Sequence, residues 1–160
     1  MARRYARELR GERVIDKVPH GHWKTTTFIA GLRHDRIVAP AVFDGPMDAD
    51  CFRAYVKEVL APCLSPGDIV ILDNLSTHKV SGIWEPIASA GASLRYLPPY
   101  SPDMNPIERV WSKVKAMLRA AARRSMLELW DTFGELLGSF SPEECANYFK
   151  NSGYAPPRLT

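Results

Sequence analysis

Ile69-Val70-Ile71-Leu72-Asp73-Asn74 follows Pro66-Gly67-Asp68 and decides the fold. Four apolar residues in succession, three of them β-branched, lack the polar alternation of a half-solvated strand. Such a run reads as a strand buried on both faces, the kind found in parallel sheets covered by helices. Its last apolar residue is followed at once by a carboxylate, so Asp73 is expected at the tip of a buried strand.

Downstream, Ser81 to Ala90 has helical character despite Pro86, Gly91 stops it, and Ser93 to Leu97 is a second short apolar strand. Strand, helix, strand is an α/β signature. The segment Leu97-Pro98-Pro99-Tyr100-Ser101-Pro102-Asp103-Met104-Asn105-Pro106-Ile107 then stiffens the crossing into a helix running from Asn105 through Ala122. Asn105 is placed to cap that helix and Pro106 to sit in its first turn. Ser125 can cap a further helix carrying Leu129, Trp130 and Phe133, and Ser141-Pro142-Glu143-Glu144 starts another.

Upstream, Arg13 to Val18, Thr25 to Leu32 and Arg36 to Phe43 read as a meander of three strands closing at Asp44-Gly45. Asp48 can cap a helix from Ala49 to about Leu64, broken by Ser65-Pro66-Gly67. The end, Gly153 to Thr160, is expected to be loose.

At 160 residues, 46% hydrophobic and 24% charged, the chain suits a single domain over residues 1–160. The net charge of +3 is mild but clustered, with Arg3, Arg4, Arg7, Arg10 and Arg13 in one group and Arg109, Lys113, Lys115, Arg119, Arg123 and Arg124 in another. Clustered cations favour a polyanionic partner. Cys51, Cys63 and Cys145 lie far apart with no CxxC spacing, which indicates neither a zinc knuckle nor a disulfide framework and fits a reducing cytoplasm. No apolar run approaches the length needed to span a bilayer, and the Arg-rich start lacks a signal peptide's apolar core.

Glu108, on the first turn of the basic helix, is separated from Asp73 by the 34 residues from 74 to 107. Two carboxylates meeting at one sheet edge suit a hard divalent cation and metal-assisted phosphodiester chemistry. Each has a bland meaning as well: Asp73-Asn74 also reads as a turn, and an acidic residue in a first helical turn complements the helix dipole. Ser112, Lys115 and Arg119 fall on the face of Glu108, while Ile107, Trp111, Val114, Leu118 and Ala121 make a core stripe. Lys115 and Arg119 would therefore lie where a nucleic-acid backbone could cross the site, or form an ordinary solvated face. His78 and Lys79 offer contacts to phosphate or to a metal-bound water, or are polar loop residues. Trp23, Trp84, Trp111 and Trp130 fit core packing better than base stacking.

Leu72-Asp73-Asn74 with His78-Lys79, Leu97 to Asp103, and Asn105-Pro106-Ile107-Glu108 with Trp111-Ser112-Lys113 resemble the bacterial insertion sequence 630 transposases of the mariner superfamily. The likeness extends over nearly the whole chain, through Gly45, Pro66-Gly67-Asp68 and the closing Glu143 to Tyr154 segment. It implies an RNase H-like mixed sheet flanked by helices, and a nuclease and strand transferase using two Mg2+ ions, with Mn2+ as a substitute, on an Asp, Asp, Glu triad. Asp73 then matches the second aspartate and Glu108 the glutamate, as catalytic metal ligands. Lys113, Lys115, Arg119, His78 and Lys79 become DNA contacts, and Asn74 and Asn105 shape the site. The first aspartate, on the central first strand of the family's sheet, has no counterpart, and Asp44 is the least poor substitute among Asp16, Asp35, Asp44, Asp48 and Asp50. The chain is expected to begin after that strand and to lack the family's N-terminal helix-turn-helix. Its loss would leave unpaired edges on both neighbouring strands.

The resemblance implies double-stranded DNA as partner, at transposon ends and target, in a homodimer or an assembly with an upstream-frame product, in the bacterial cytoplasm near the nucleoid. This chain alone is then expected to be a feeble catalyst or none. A remnant or split-frame subunit that binds DNA or a partner without catalysis is the competing expectation. An unrelated metal-dependent phosphohydrolase would need a third carboxylate elsewhere.

Overall fold

Alternating apolar side chains between Thr26 and Asp44 build a hairpin that serves two cores at once. The computed structural model describes residues 25–75, 78–122 and 125–154. The expected strand Arg13 to Val18, the arginines before it and the segment after Tyr154 lie outside those residues. β1 (Thr26–Leu32) pairs antiparallel with β2 (Ile37–Asp44). Ile29, Ala41 and Phe43 face one core, whereas Phe28, Leu32, Ile37 and Val42 face the other, as the two-residue period of a strand requires. The register slips between Ile29 and Gly31, so that Ala30 is opposed by both Ala39 and Pro40. Ala39 takes a left-handed φ of 51° there, a bulge conformation, and Pro40 has no N–H to contribute to the ladder. The Tyr55 hydroxyl donates to the Ala39 carbonyl at 2.9 Å, which satisfies a buried oxygen at the bulge.

Asp48 caps α1 (Ala49–Tyr55), accepting from the Cys51 N–H at 2.7 Å. The coil continues as a wider turn over Val56–Leu60 and a tighter one over Ala61–Cys63, so the expected span to Leu64 is helical but not uniformly α. Phe52, Tyr55, Val56 and Leu60 from this coil join Ala39, Ile83 and Ile87 in the first core.

β3 (Ile69–Leu72) and β4 (Ser93–Tyr96) run parallel, joined through α2 (Trp84–Ser89). α2 is shorter than the expected Ser81 to Ala90. Gly82 sits at φ +85°, and the Ser81 carbonyl is taken by Arg53 Nε at 2.9 Å, so the chain turns before it coils. Gly91, at φ +76°, ends α2 as expected.

α3 (Ile107–Ala121), α4 (Met126–Leu137) and α5 (Pro142–Asn151) carry the second core, with Val110, Val114, Leu118, Phe133, Phe140 and Cys145 buried. Ser125 and Glu128 form a reciprocal capping box on α4, and Ser141 caps α5. Ala122 closes α3 in the left-handed region at φ 48°. The stripe on α3 buries Val114 and Leu118 as expected, adds Val110, and keeps Ile107 and Trp111 partly buried on its flank.

Helices thus cover a mixed set of strands, antiparallel in β1–β2 and parallel in β3–β4. Among the described residues the two pairs do not hydrogen-bond to each other. Arg33, just after β1, pairs with Asp68, just before β3. The end of β1 therefore lies by the start of β3, and the two strands point in opposite directions. β3 departs from the expectation of burial on both faces: Val70 and Leu72 pack on the first core, but Ile69 is 62% and Ile71 37% exposed. Among the described residues, no strand pairs with the side of β3 away from β4.

Candidate metal and DNA site

Asp73 follows β3 directly, past the last rung pairing Leu72 with Tyr96. Its Oδ1 accepts from the Leu75 N–H at 3.3 Å, the turn that Asp-Asn sequences favour, and contacts His78 Nδ1. The His78 ring stacks on buried Phe52, centroids 4.7 Å apart, and the His78 carbonyl accepts from the Tyr96 hydroxyl at 3.0 Å. His78, expected as a DNA contact, lies against the Asp73 carboxylate and lines the same cavity. Among the described residues no hydrogen bond reaches Asp73 Oδ2.

Glu108 lies exposed in the first turn of α3, with its N–H donating to the Asn105 carbonyl at 3.2 Å. The expected side-chain cap from Asn105 is not formed. Pro106 takes the cap position and Asn105 is extended, at φ −101° and ψ 98°, so its backbone oxygen rather than its side chain closes the first turn.

The two carboxylates border the same two cavities. Asp73, Asn105 and Glu108 all line both a cavity of about 640 Å³ along β1 and β3 and a second of about 530 Å³ under the Pro98–Pro102 loop. Asn74 and Lys79 line the second cavity only. Asn74 Oδ1 is buried with no hydrogen-bond partner among the described residues, and exposed Lys79 holds its Nζ 6.0 Å from the Tyr96 ring centroid.

Lys115 and Arg119 are exposed on α3, and Ser112 Oγ donates to the Glu108 carbonyl at 3.0 Å. Lys113 Nζ lies 2.6 and 2.8 Å from the two Glu144 oxygens and 4.5 Å from the Phe140 ring centroid, so it joins α3 to α5. Hydrogen bonds from Lys113, then from the Tyr148 hydroxyl, hold the Glu144 carboxyl below its ordinary value.

Of the substitutes for a first aspartate, Asp35 lines the first cavity with the pair but its carboxylate pairs with Arg36 at 2.6 Å; Asp44 ends β2 and lines neither cavity; Asp48 caps α1, and Asp50 pairs with Arg53 at 2.6 Å. Asp16 lies outside the described residues. The donor set of Asp73 and Glu108 is all oxygen, which fits Mg2+ or Mn2+. Two carboxylates suffice to grip one ion; no group of three metal-ligating side chains occurs among the described residues.

Sequence reasoning missed Tyr100, a fully exposed residue at φ 55° on the rim of the second cavity. The prolines on either side signalled a stiff turn, but nothing in them gave the sign of φ.

No helix among the described residues is long and apolar enough to cross a membrane. A search of the curated proteins gave no significant match. Among solved structures, the Mos1 strand transfer complex aligns with 95% of this chain and 47% of its own at 11% identity and TM-score 0.73. A Mos1 transposase paired-end complex with the left transposon end aligns at 11% identity and TM-score 0.67, covering 96% of this chain and 52% of that one. A pre-cleavage Mos1 transpososome gives 10% and 0.67, with 98% and 53% covered. The chain thus spans about half the length of these structures and shares their RNase H-like fold. The model of the DDE superfamily endonucleases matches residues 1–129, well over half of the chain, and the protein belongs to that superfamily.

Proposed function

We propose that this chain is the catalytic domain of a cut-and-paste DNA transposase of the insertion sequence 630 type, with Asp73 and Glu108 as its metal ligands. The observation that carries the reading is the placement of both carboxylates, one at a strand tip and one in a first helical turn, at the junction of two cavities. A bound Mg2+ supplies Lewis acidity to a phosphodiester and acidifies a water. Around it, the chain's own groups have separate tasks. His78 and the Leu75 N–H hold Asp73 by Oδ1, leaving Oδ2 for the cation. Pro98, Pro99 and Pro102 fix the path into α3, and with it the direction of Glu108. Lys115 and Arg119 meet backbone phosphates without reading bases. Transposon ends and target DNA are the substrates, handled by a paired assembly of chains.

A second reading is a subunit or remnant that binds DNA or a partner without catalysis. It is favoured by one observation, the lack of a third carboxylate beside the pair among the described residues.

Incubation of the purified chain with supercoiled DNA and Mg2+, alongside salt-dependent DNA binding, separates the two. The catalytic reading expects feeble nicking by this chain alone that disappears in Asp73→Asn and Glu108→Gln. Salt-dependent binding with nicking no greater than that of Asp73→Asn transfers the assignment to the non-catalytic subunit. A chain that neither binds nor nicks DNA contradicts the catalytic reading and the DNA-binding form of the second, and leaves only a partner-binding subunit.

A further inference from the structure

Pro98, Pro99, Pro102 and Pro106 punctuate the path into α3, and a proline has no N–H to donate. Their rings stiffen the path without tying it to the rest of the molecule. Its own hydrogen bonds are internal: Ser101 Oγ donates to the Pro99 carbonyl, the Met104 N–H to the Ser101 carbonyl and the Asn105 N–H to the Pro102 carbonyl. Among the described residues, a single hydrogen bond reaches residues 98–106 from outside that path and α3. In it the Tyr154 hydroxyl donates to the Met104 carbonyl at 3.0 Å, one helical turn before Glu108.

Gly153-Tyr154 reads in sequence as the start of a loose end, yet it closes α5. The Gly153 N–H donates to the Lys150 carbonyl at 3.1 Å and the Tyr154 N–H to the Phe149 carbonyl at 3.0 Å, with Gly153 at φ +87°. This pair of bonds around a left-handed glycine is the Schellman end of a helix. Its usual apolar contact is present too, as the edge-on packing of the Tyr154 ring against Phe149, centroids 5.7 Å apart. Tyr154 is therefore held by backbone and ring where its hydroxyl meets Met104. A second tie lies on the other side of Glu108: Arg109 Nη2 donates to the Asn151 carbonyl at 3.3 Å, at a helix end that favours a cation. Asn105, Glu108, Phe149 and Tyr154 border one cavity.

We propose that Tyr154 is a positioning residue for Glu108, fixing the entry to α3 so that the carboxylate meets a cation shared with Asp73. The inference rests on the reading of Glu108 as a metal ligand. Without the hydroxyl, the stiff path swings as a unit and carries Glu108 with it, so the two carboxylates lose part of their preorganisation.

Free Mn2+ followed by electron paramagnetic resonance during titration tests this in the whole chain, Tyr154→Phe, Glu108→Gln and the double variant. Phenylalanine keeps the ring on Phe149 and removes only the hydroxyl. Tyr154→Phe is expected to weaken Mn2+ binding about fivefold, the equivalent of one net hydrogen bond, and to have no effect once Glu108 is replaced. Amide exchange in residues 104–109 of the metal-free chain should quicken in the same variant. If Glu108→Gln weakens binding and Tyr154→Phe does not, the positioning role is overturned and the metal reading stands. An equal loss from Tyr154→Phe in both backgrounds marks a general structural effect and overturns it as well. Glu108→Gln without effect removes the metal reading itself, and this inference with it.

Discussion

Asp73 has two described hydrogen-bonding partners and both act on the same oxygen, so its neighbours orient it without consuming its capacity to bind a cation. This arrangement was only partly legible in the sequence. Leu72-Asp73-Asn74 shows a strand end and a turn, but the seating of His78 on Phe52 depends on a helix some twenty residues upstream and has no local signal. Lys113 is the opposite case. Counted with the basic face, it is committed to Glu144, because Phe140 and Tyr148 supply an apolar and hydrogen-bonding seat that charge patterning does not reveal. A pH prediction follows. Glu144 titrates below its ordinary 4.5 when folded, so its contribution to stability is fully present above that pH and is lost as pH falls through the depressed value. Lys113→Met should therefore flatten the acid limb of Tm against pH below about 4.5 while leaving DNA binding nearly unchanged. An unaltered acid limb would mean the pair does not couple to folding.

α3 divides its duties by face. Val110, Val114 and Leu118 are fully buried against Phe133, Phe140 and Cys145, whereas Lys115 and Arg119 are exposed. Leu118→Ala should lower unfolding free energy by about 2–5 kcal/mol in urea denaturation, the range for a leucine truncated in a packed core. Lys115→Ala and Arg119→Ala should each change stability by less than about 0.5 kcal/mol. On the DNA-binding reading each instead reduces the slope of log K against log salt by about 1. Slopes unchanged in both would move the DNA to another surface. The helix was readable from its period, with Val114 and Leu118 on the buried stripe, and its end at Ala122 was found as expected. Its start was not, since Pro106 holds the cap position and Asn105 acts by its carbonyl. A side chain's capping tendency did not decide between two adjacent residues once the proline ring fixed φ.

At the scale of the molecule, the described strands and helices follow from periodicity and turn residues, whereas the pairing of β1 with β2 and of β3 with β4 is set by non-local contacts that residue pattern does not carry. The exposure of Ile69 and Ile71 on one face of β3 is what the buried-strand reading failed to anticipate. Tyr55→Phe tests a different junction, where β2's bulge is tied to the helical coil: removing the hydroxyl should cost about 1–3 kcal/mol by leaving the buried Ala39 carbonyl unpaired. A loss below about 0.5 kcal/mol in denaturant melts would show that this carbonyl has another partner.

The central claim is that Asp73 and Glu108 together hold a divalent cation. Electron paramagnetic resonance of free Mn2+ during titration into the chain counts bound ions directly. The account predicts saturable uptake of one ion, weakened at least about tenfold, or about 1.4 kcal/mol, in Asp73→Asn and in Glu108→Gln. Uptake that persists unchanged in both variants would contradict it.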